Sequence, residues 1–168
     1  MNITTSIKET SSKDSIEMIA SFMTAHPQGS ITTIARDGAL QSSVVNILET
    51  SEFHYTFMTK KETRKYMNIN NNPTVSFIAY DLFSRTETEI EGIAVLVTDQ
   101  KQIDEILVKI RADSDLGRWH ISPYVNEFDD YILFTIYPRR IHQTTFWEQD
   151  SGMETYQESI DFDVRMSS

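Results

Sequence analysis

Residues 30–48 read SITTIARDGALQSSVVNIL, and they constrain the fold more than any other stretch. Two runs rich in β-branched residues flank Arg36-Asp37-Gly38. Asp-Gly is a strong signal for a tight hairpin, because glycine takes positive φ without a Cβ clash. The pair commits the chain to antiparallel neighbours, since parallel strands need a long crossover. The same texture continues downstream. EFHYTFMT (52–59) alternates as a third strand, and the short turn ETSE (49–52) keeps it antiparallel to the second. TVSFIAY (74–80) predicts a central strand, and TEIEGIAVLVT (88–98) predicts another, with Gly92 at a bulge. YILFTIYP and RRIHQTTFW predict two closing strands separated at Pro138-Arg139.

Helical periodicity occupies the gaps. SKDSIEMIASFMTA (12–25) places Ile16, Ile19, Ala20, Phe22 and Met23 on one face, with Ser12, Asp14 or Ser15 as cap and His26-Pro27 as stop. After the third strand a short helix runs to about Ile69, opened by Thr59 with Glu62 or by Thr63, and closed by Asn70-Asn71-Asn72-Pro73. Asp99 caps a third helix, with Ile103, Ile106, Leu107 and Ile110 on one face. Seven short antiparallel strands with a few packing helices, and no alternating strand-helix-strand pattern, give a mainly β, α+β reading. The architecture expected is a closed or nearly closed antiparallel β-barrel. Residues 1–11 read as a flexible polar leader, 12–148 as the domain and 149–168 as an acidic, weakly patterned tail.

Composition narrows the function classes. The 39% apolar content supports a real core, so disorder is excluded. The absence of cysteine removes disulfides, thiolate metal sites and cysteine nucleophiles, and fits a reducing compartment. A net charge of −10 opposes nucleic acid. The polar N-terminus lacks a signal-peptide core, and no apolar run is long enough to span a membrane, so a cytoplasmic location is expected. GxGxxG, GxxxxGK[ST] and GxSxG are all missing, which leaves dinucleotide, P-loop and hydrolase readings without support. His26, His54, His120 and His142 show no ligand-like spacing, and no metal site is expected. His120 beside Trp119 in a loop is the histidine of most interest. No carboxylate pair is singled out for acid/base work.

Against this acidic background one cluster stands out. Lys60, Lys61, Arg64 and Lys65 fall within six positions. Four basic residues and one acidic give 59–66 a charge of +3, so the rest of the chain carries −13 in a total of −10. A solvated helix face is the ordinary explanation of such a cluster. A strand running into Thr59, followed by a helix opening near Thr63, also has the parts of a phosphate site. The helix N-terminus offers free N–H groups, the threonines offer hydroxyls, and Arg64 and Lys65 offer counter-charge.

The ordered set SITTIARDG, SSVVNIL, FHYTFMT, KKETRKYMNINNNPTVSFIAYD and EIEGIAVLVTD resembles the pyridoxamine 5′-phosphate oxidase-like superfamily of FMN-binding split barrels. The resemblance rests on a strand ending in Thr59, then Thr63-Arg64-Lys65, Asn72-Pro73, the 75–80 strand and Gly92, over roughly residues 12–147. It implies an antiparallel split barrel and a homodimer with FMN at the subunit interface. It further implies that Arg64 and Lys65 hold the FMN phosphate, with Thr59 and Thr63 as further donors. Ser42, Ser43, Val44, Val45 and Asn46 would run along the flavin ring and ribityl chain, with Met58 close by. Ser43 and Glu87 stand near positions where the true oxidases carry Arg and Gln, and the oxidases' C-terminal Arg-x-His signature has no match. Vitamin B6 oxidation is therefore not expected. The short general-stress-protein-like or nitroreductase-like branches are nearer in size. The expected function is FMN-dependent reduction of a small organic acceptor with a nicotinamide donor. The alternative is a non-catalytic flavin- or haem-binding protein on the same fold, with His120 or His142 as iron ligand.

Overall fold

The computed structural model describes residues 2–8, 12–115, 117, 131–149 and 152–167. The elements run β1 (Asn2–Ile7), α1 (Lys13–Ala25), β2 (Gln28–Ile34), β3 (Leu40–Ser51), β4 (His54–Lys60), α2 (Arg64–Asn71), β5 (Thr74–Asp81), β6 (Thr86–Leu96), α3 (Gln100–Asp115), β7 (Tyr131–Gln149) and β8 (Gly152–Ser167). Every strand pairing is antiparallel, in the order β1-β8-β7-β4-β3-β2-β5-β6, and β6 also pairs with β7. That last pairing closes β7-β4-β3-β2-β5-β6 into a barrel. β8 and β1 extend from the remaining edge of β7. The fold is an antiparallel split barrel, with three helices among the described residues.

The hairpin at the centre of the sequence forms as its residues require. Gly38 has φ 85°, the Ala35 N–H donates to the Ala39 carbonyl at 2.8 Å, and the Asp37 carboxylate accepts from the Ala39 N–H at 3.1 Å. Ser12 caps α1 by accepting from the Ser15 N–H, and Asp99 accepts from the Gln102 N–H at the start of α3. The main core gathers Ile19 and Met23 of α1 with Ile31, Val45, Ile47, Phe57, Phe77, Ile90, Phe134 and Ile141. A second cluster joins Ile106 and Ile110 of α3 to Val97 and Leu133, with Leu48 and Met58 against it.

Three expectations are corrected. Residues 2–7, read as part of a flexible leader, form β1, paired from Asn2↔Ser167 to Ile7↔Phe162. The tail after 149 forms β8, which buries Ile160 completely and Phe162 nearly so. Apolar residues alternating at 160, 162 and 164 face the core, and this burial outweighs the acidic composition between them. The two closing strands are one 19-residue strand, β7. Glu91 pairs with Arg140 while Gly92 pairs with Pro138, so Arg139 is an extra residue absorbed in a bulge. Pro138, which lacks an N–H, sits at this irregularity, where the ladder tolerates it. Gly92 sits opposite as expected. A Cβ there would lie 2.5 Å from the Tyr137 carbonyl oxygen. No helix among the described residues is long and apolar enough to cross a membrane.

Candidate functional site

The basic cluster separates into two pairs. Lys60 ends β4 with its ammonium 5.1 Å from the Tyr131 ring centroid, a cation–π contact, and Lys61 is exposed in the turn. Arg64 and Lys65 open α2 and line a cleft of about 170 Å³ with Thr33, Gln41, Ser42, Ser43 and Thr63. The cleft lies where the N-terminus of α2 faces the start of β3.

Local chemistry fixes that N-terminus. Thr63 is the cap: its Oγ1 accepts from the Tyr66 N–H at 3.3 Å and donates to the Lys60 carbonyl at 2.8 Å. With that proton committed, the Thr59 hydroxyl, 3.0 Å away, donates to Thr63 Oγ1. Thr59 is buried and braces the cap from below, and it does not line the cleft. At the other end the Asn72 N–H donates to the Asn68 carbonyl at 2.7 Å, and the Asn72 side chain accepts from the Thr74 N–H.

Lys65 is half-buried, and burial pushes its pKa below the ordinary lysine value. Neither its ammonium nor the Arg64 guanidinium has an ion pair or hydrogen bond among the described residues. Two uncompensated cations beside the free N–H groups of a helix are the parts an anion site needs.

Of the ten residues expected at a flavin site, Ser42, Ser43, Thr63, Arg64 and Lys65 come together. Of the others, Val44, Val45 and Asn46 diverge along β3, and Met58 and Thr59 lie on β4. Val45 points into the core, whereas Val44 stands 68% exposed on the outer face. Asn46 accepts from Gln28 Nε2 at 3.2 Å in a different depression, beside His26 and Tyr80. Met58 packs in the cluster beneath α3.

Two cleft-lining residues, Thr33 and Gln41, and the Asn68 that ties them to α2 escaped the sequence reading. The buried Asn68 side chain donates to Thr33 Oγ1 at 3.0 Å and to Gln41 Oε1 at 3.1 Å, and Thr33 Oγ1 donates to the Gln41 carbonyl at 3.2 Å. This network ties α2 to β2 and β3 and holds the wall opposite Arg64. Strand parity could have flagged Gln41, which shares a face with Ser43 and Val45. Asn68 was hidden in the run of asparagines that ends the helix.

The histidines are engaged elsewhere. His54 Nδ1 bonds Ser51 Oγ at 2.5 Å, its Nε2 bonds Thr5 Oγ1, and its ring lies on Tyr137. His142 Nε2 is 3.3 Å from Thr144 Oγ1, and His26 packs on Phe22. His120 and Trp119 lie outside the described residues. No group of His, Asp or Glu among the described residues could hold a metal ion.

Known proteins share this architecture. General stress protein 26 from Bacillus anthracis str. Sterne is similar in fold at 22% identity, over 76% of this chain and 92% of that one, with TM-score 0.58. A pyridoxamine 5′-phosphate oxidase-related, FMN binding protein from Nostoc punctiforme PCC 73102 is similar at 14% identity, over 86% and 96%, with TM-score 0.55. A heme binding protein from Mycobacterium smegmatis is similar at 11% identity, over 84% and 57%, with TM-score 0.62. No curated protein matches the chain significantly in sequence. A family model described as Pyridoxamine 5′-phosphate oxidase matches residues 16–145, which span α1, the closed barrel and the cleft between α2 and β3. With that match over most of its length and a split barrel to carry it, the chain belongs to the pyridoxamine 5′-phosphate oxidase family.

Proposed function

We propose that this chain is an FMN-dependent oxidoreductase that seats the FMN phosphate between the N-terminus of α2 and the start of β3. The observation that carries the reading is the pair of uncompensated cations, Arg64 and the half-buried Lys65, in one cleft with the Ser42 and Ser43 strand. The residues present fit a phosphate: two cations, the Ser43 hydroxyl, and no carboxylate among the described residues of the lining. An FMN-binding protein of the same fold supports the choice of flavin. Bound FMN supplies the hydride and electron transfer, and the chain supplies position and shielding. Arg64 and Lys65 neutralise the phosphate, Thr63 and Thr59 hold the helix start in place, and β3 offers its backbone along the cofactor.

The reaction we infer is reduction of a small organic acceptor with a nicotinamide donor, in the cytoplasm. A homodimer is part of the proposal. Val44, Ser30 and Ile78 are register neighbours across β3, β2 and β5, and this outer face leaves Leu40 at 72%, Val44 at 68% and Tyr80 at 53% exposed. An apolar face of this kind marks an interaction surface, and a second copy would cover it.

The test is the visible spectrum of the purified protein, then titration of the apoprotein with FMN. Stoichiometric binding that weakens by about 1.5–3 kcal/mol in Lys65→Ala, the size of a hydrogen bond to a charged group, is the expected result. A Soret band in place of a flavin spectrum would move the assignment to haem. FMN bound but never reduced by a nicotinamide donor would favour a non-catalytic flavin carrier.

A further inference from the structure

The phosphate cleft opens into a larger one. A depression of about 690 Å³ runs along α2, lined by Arg36, Gln41, Arg64, Met67, Asn70 and Asn71 among others, and it shares Gln41 and Arg64 with the phosphate cleft. Arg36 projects from the β2–β3 turn, and its Nε donates to Asn71 Oδ1 at 3.3 Å, at the far end of α2. That single bond orients the guanidinium and leaves both of its terminal NH₂ groups without partners among the described residues. The adjacent carboxylate, Asp37, is turned to the Ala39 N–H. No acidic side chain among the described residues lines the depression, in a chain with 25 acidic residues. Its walls are two guanidiniums, asparagine amides and the exposed Met67 thioether.

A monophosphate at Arg64 and Lys65 leaves Arg36 and the Asn70–Asn71 end of the depression unused. We propose that the depression is a second anion subsite, taking a phosphate-type group beyond the one held at Arg64 and Lys65. The inference rests on the phosphate reading above. Guanidinium forks match phosphate oxygens two at a time, the amides of Asn70 and Asn71 add donors, and Met67 offers polarizable surface to a base or sugar. Two sources share this chemistry: the second phosphate of a dinucleotide flavin, or the phosphate of a phosphorylated nicotinamide donor beside bound FMN.

Calorimetric titration separates them. Riboflavin, FMN and FAD are titrated into the apoprotein, and NADH and NADPH into the FMN-loaded protein, each for the parent chain, Arg36→Ala and Arg36→Lys. Arg36 is exposed at a turn, so both variants keep the fold. The expected result is a preference for FAD over FMN, or for NADPH over NADH, that shrinks at least about fivefold in Arg36→Ala and is only partly kept in Arg36→Lys, which retains the charge but not the fork. Loss of the first preference places the second anion on the cofactor, and loss of the second places it on the donor. FMN affinity stays within about twofold in both variants. If Arg36→Ala moves neither preference, the second subsite is overturned and the phosphate reading stands. If riboflavin binds as tightly as FMN, the phosphate reading falls and takes the subsite with it.

Discussion

Asn68 is the point at which fold and cleft can be separated. Its carboxamide donates to Thr33 Oγ1 at 3.0 Å and Gln41 Oε1 at 3.1 Å, and the residue is only 7% exposed. Asn68→Ala removes both bonds. At a net 0.5–1.5 kcal/mol for each, the loss is about 1–3 kcal/mol of folding stability. For a chain of this size that lowers Tm by about 2–12 °C. Asn68→Asp keeps the shape but replaces the donors with a carboxylate. The Thr33 hydroxyl and a turned-over Gln41 amide can both donate to it, so part of the stability returns. The same carboxylate lies one helical turn from Lys65, beside the cations of the cleft. Asn68→Asp therefore costs less stability than Asn68→Ala and, on the proposed seating of the FMN phosphate, more FMN affinity. Urea unfolding followed by tryptophan fluorescence gives the first ordering, and FMN titration gives the second. An Asn68→Ala variant within about 0.5 kcal/mol of the parent, the range of an ordinary surface substitution, would refute the bracing role. Equal FMN affinity in the two variants would refute the electrostatic part.

Other perturbations follow from single contacts. A Cβ at Gly29 would lie 2.2 Å from the Ile78 carbonyl oxygen and 2.4 Å from the Phe77 ring. Gly29→Ala is thus expected to cost about 3 kcal/mol, measured by urea unfolding, because backbone on the β2–β5 seam must move. Burial lowers the Lys65 pKa below 10.5, so the folded apoprotein sheds that proton before the unfolded chain does. Stability contributed by this group rises as pH climbs from the lowered folded pKa to 10.5, and Lys65→Met flattens that part of a urea-midpoint profile. His54 is likewise held below 6.5, with burial the larger effect and Glu52 opposing it. Stability then falls as pH drops from 6.5 to the folded pKa and levels off below it, and His54→Gln removes the step in the acid profile.

The parts of the barrel that were legible are those set by neighbours in sequence. The Asp37-Gly38 turn, the alternation through β3 and β4 and the β-branched run in β5 each carry their instruction within a few residues. β1 and β8 do not. Asn2 pairs with Ser167 across nearly the whole chain, and no local propensity announces a partner so distant. Within β8 the readable signal, apolar at 160, 162 and 164, was outweighed by acidic residues on the opposite, exposed face. Those acidic residues are the other half of the same period-two pattern. Pro138 misled for a related reason. A proline reads as a break, yet a bulge at Arg139, facing Gly92, lets β7 run through it.

The cleft divides along the same line. Arg64, Lys65 and the Thr63 cap were visible because a charge cluster and a capping residue are properties of one segment. The wall facing them is not, because Thr33 and Gln41 come from two strands and are tied to α2 through Asn68 only once the sheet has formed. For β3 the reading named a continuous stretch, 42–46, where a strand offers one face at a time. Val45 is in the core and Val44 is on the outer face, so only the start of that stretch lines the cleft, with Ser43 on the face shared with Gln41 and the Ser42 hydroxyl bonded to Thr32 Oγ1 on the outer face. Val44 belongs to the same exposed surface as Ile78. If a second copy covers that surface and the cofactor lies between the copies, Val44 meets it from the dimer side of the sheet, and the contiguous stretch regains its meaning only in the assembled dimer. Replacing Val44 with Lys would then weaken dimerisation and FMN binding together, read by light scattering and titration on one preparation. A variant that dissociates the dimer but keeps full FMN affinity would show that the cofactor site is complete within one chain.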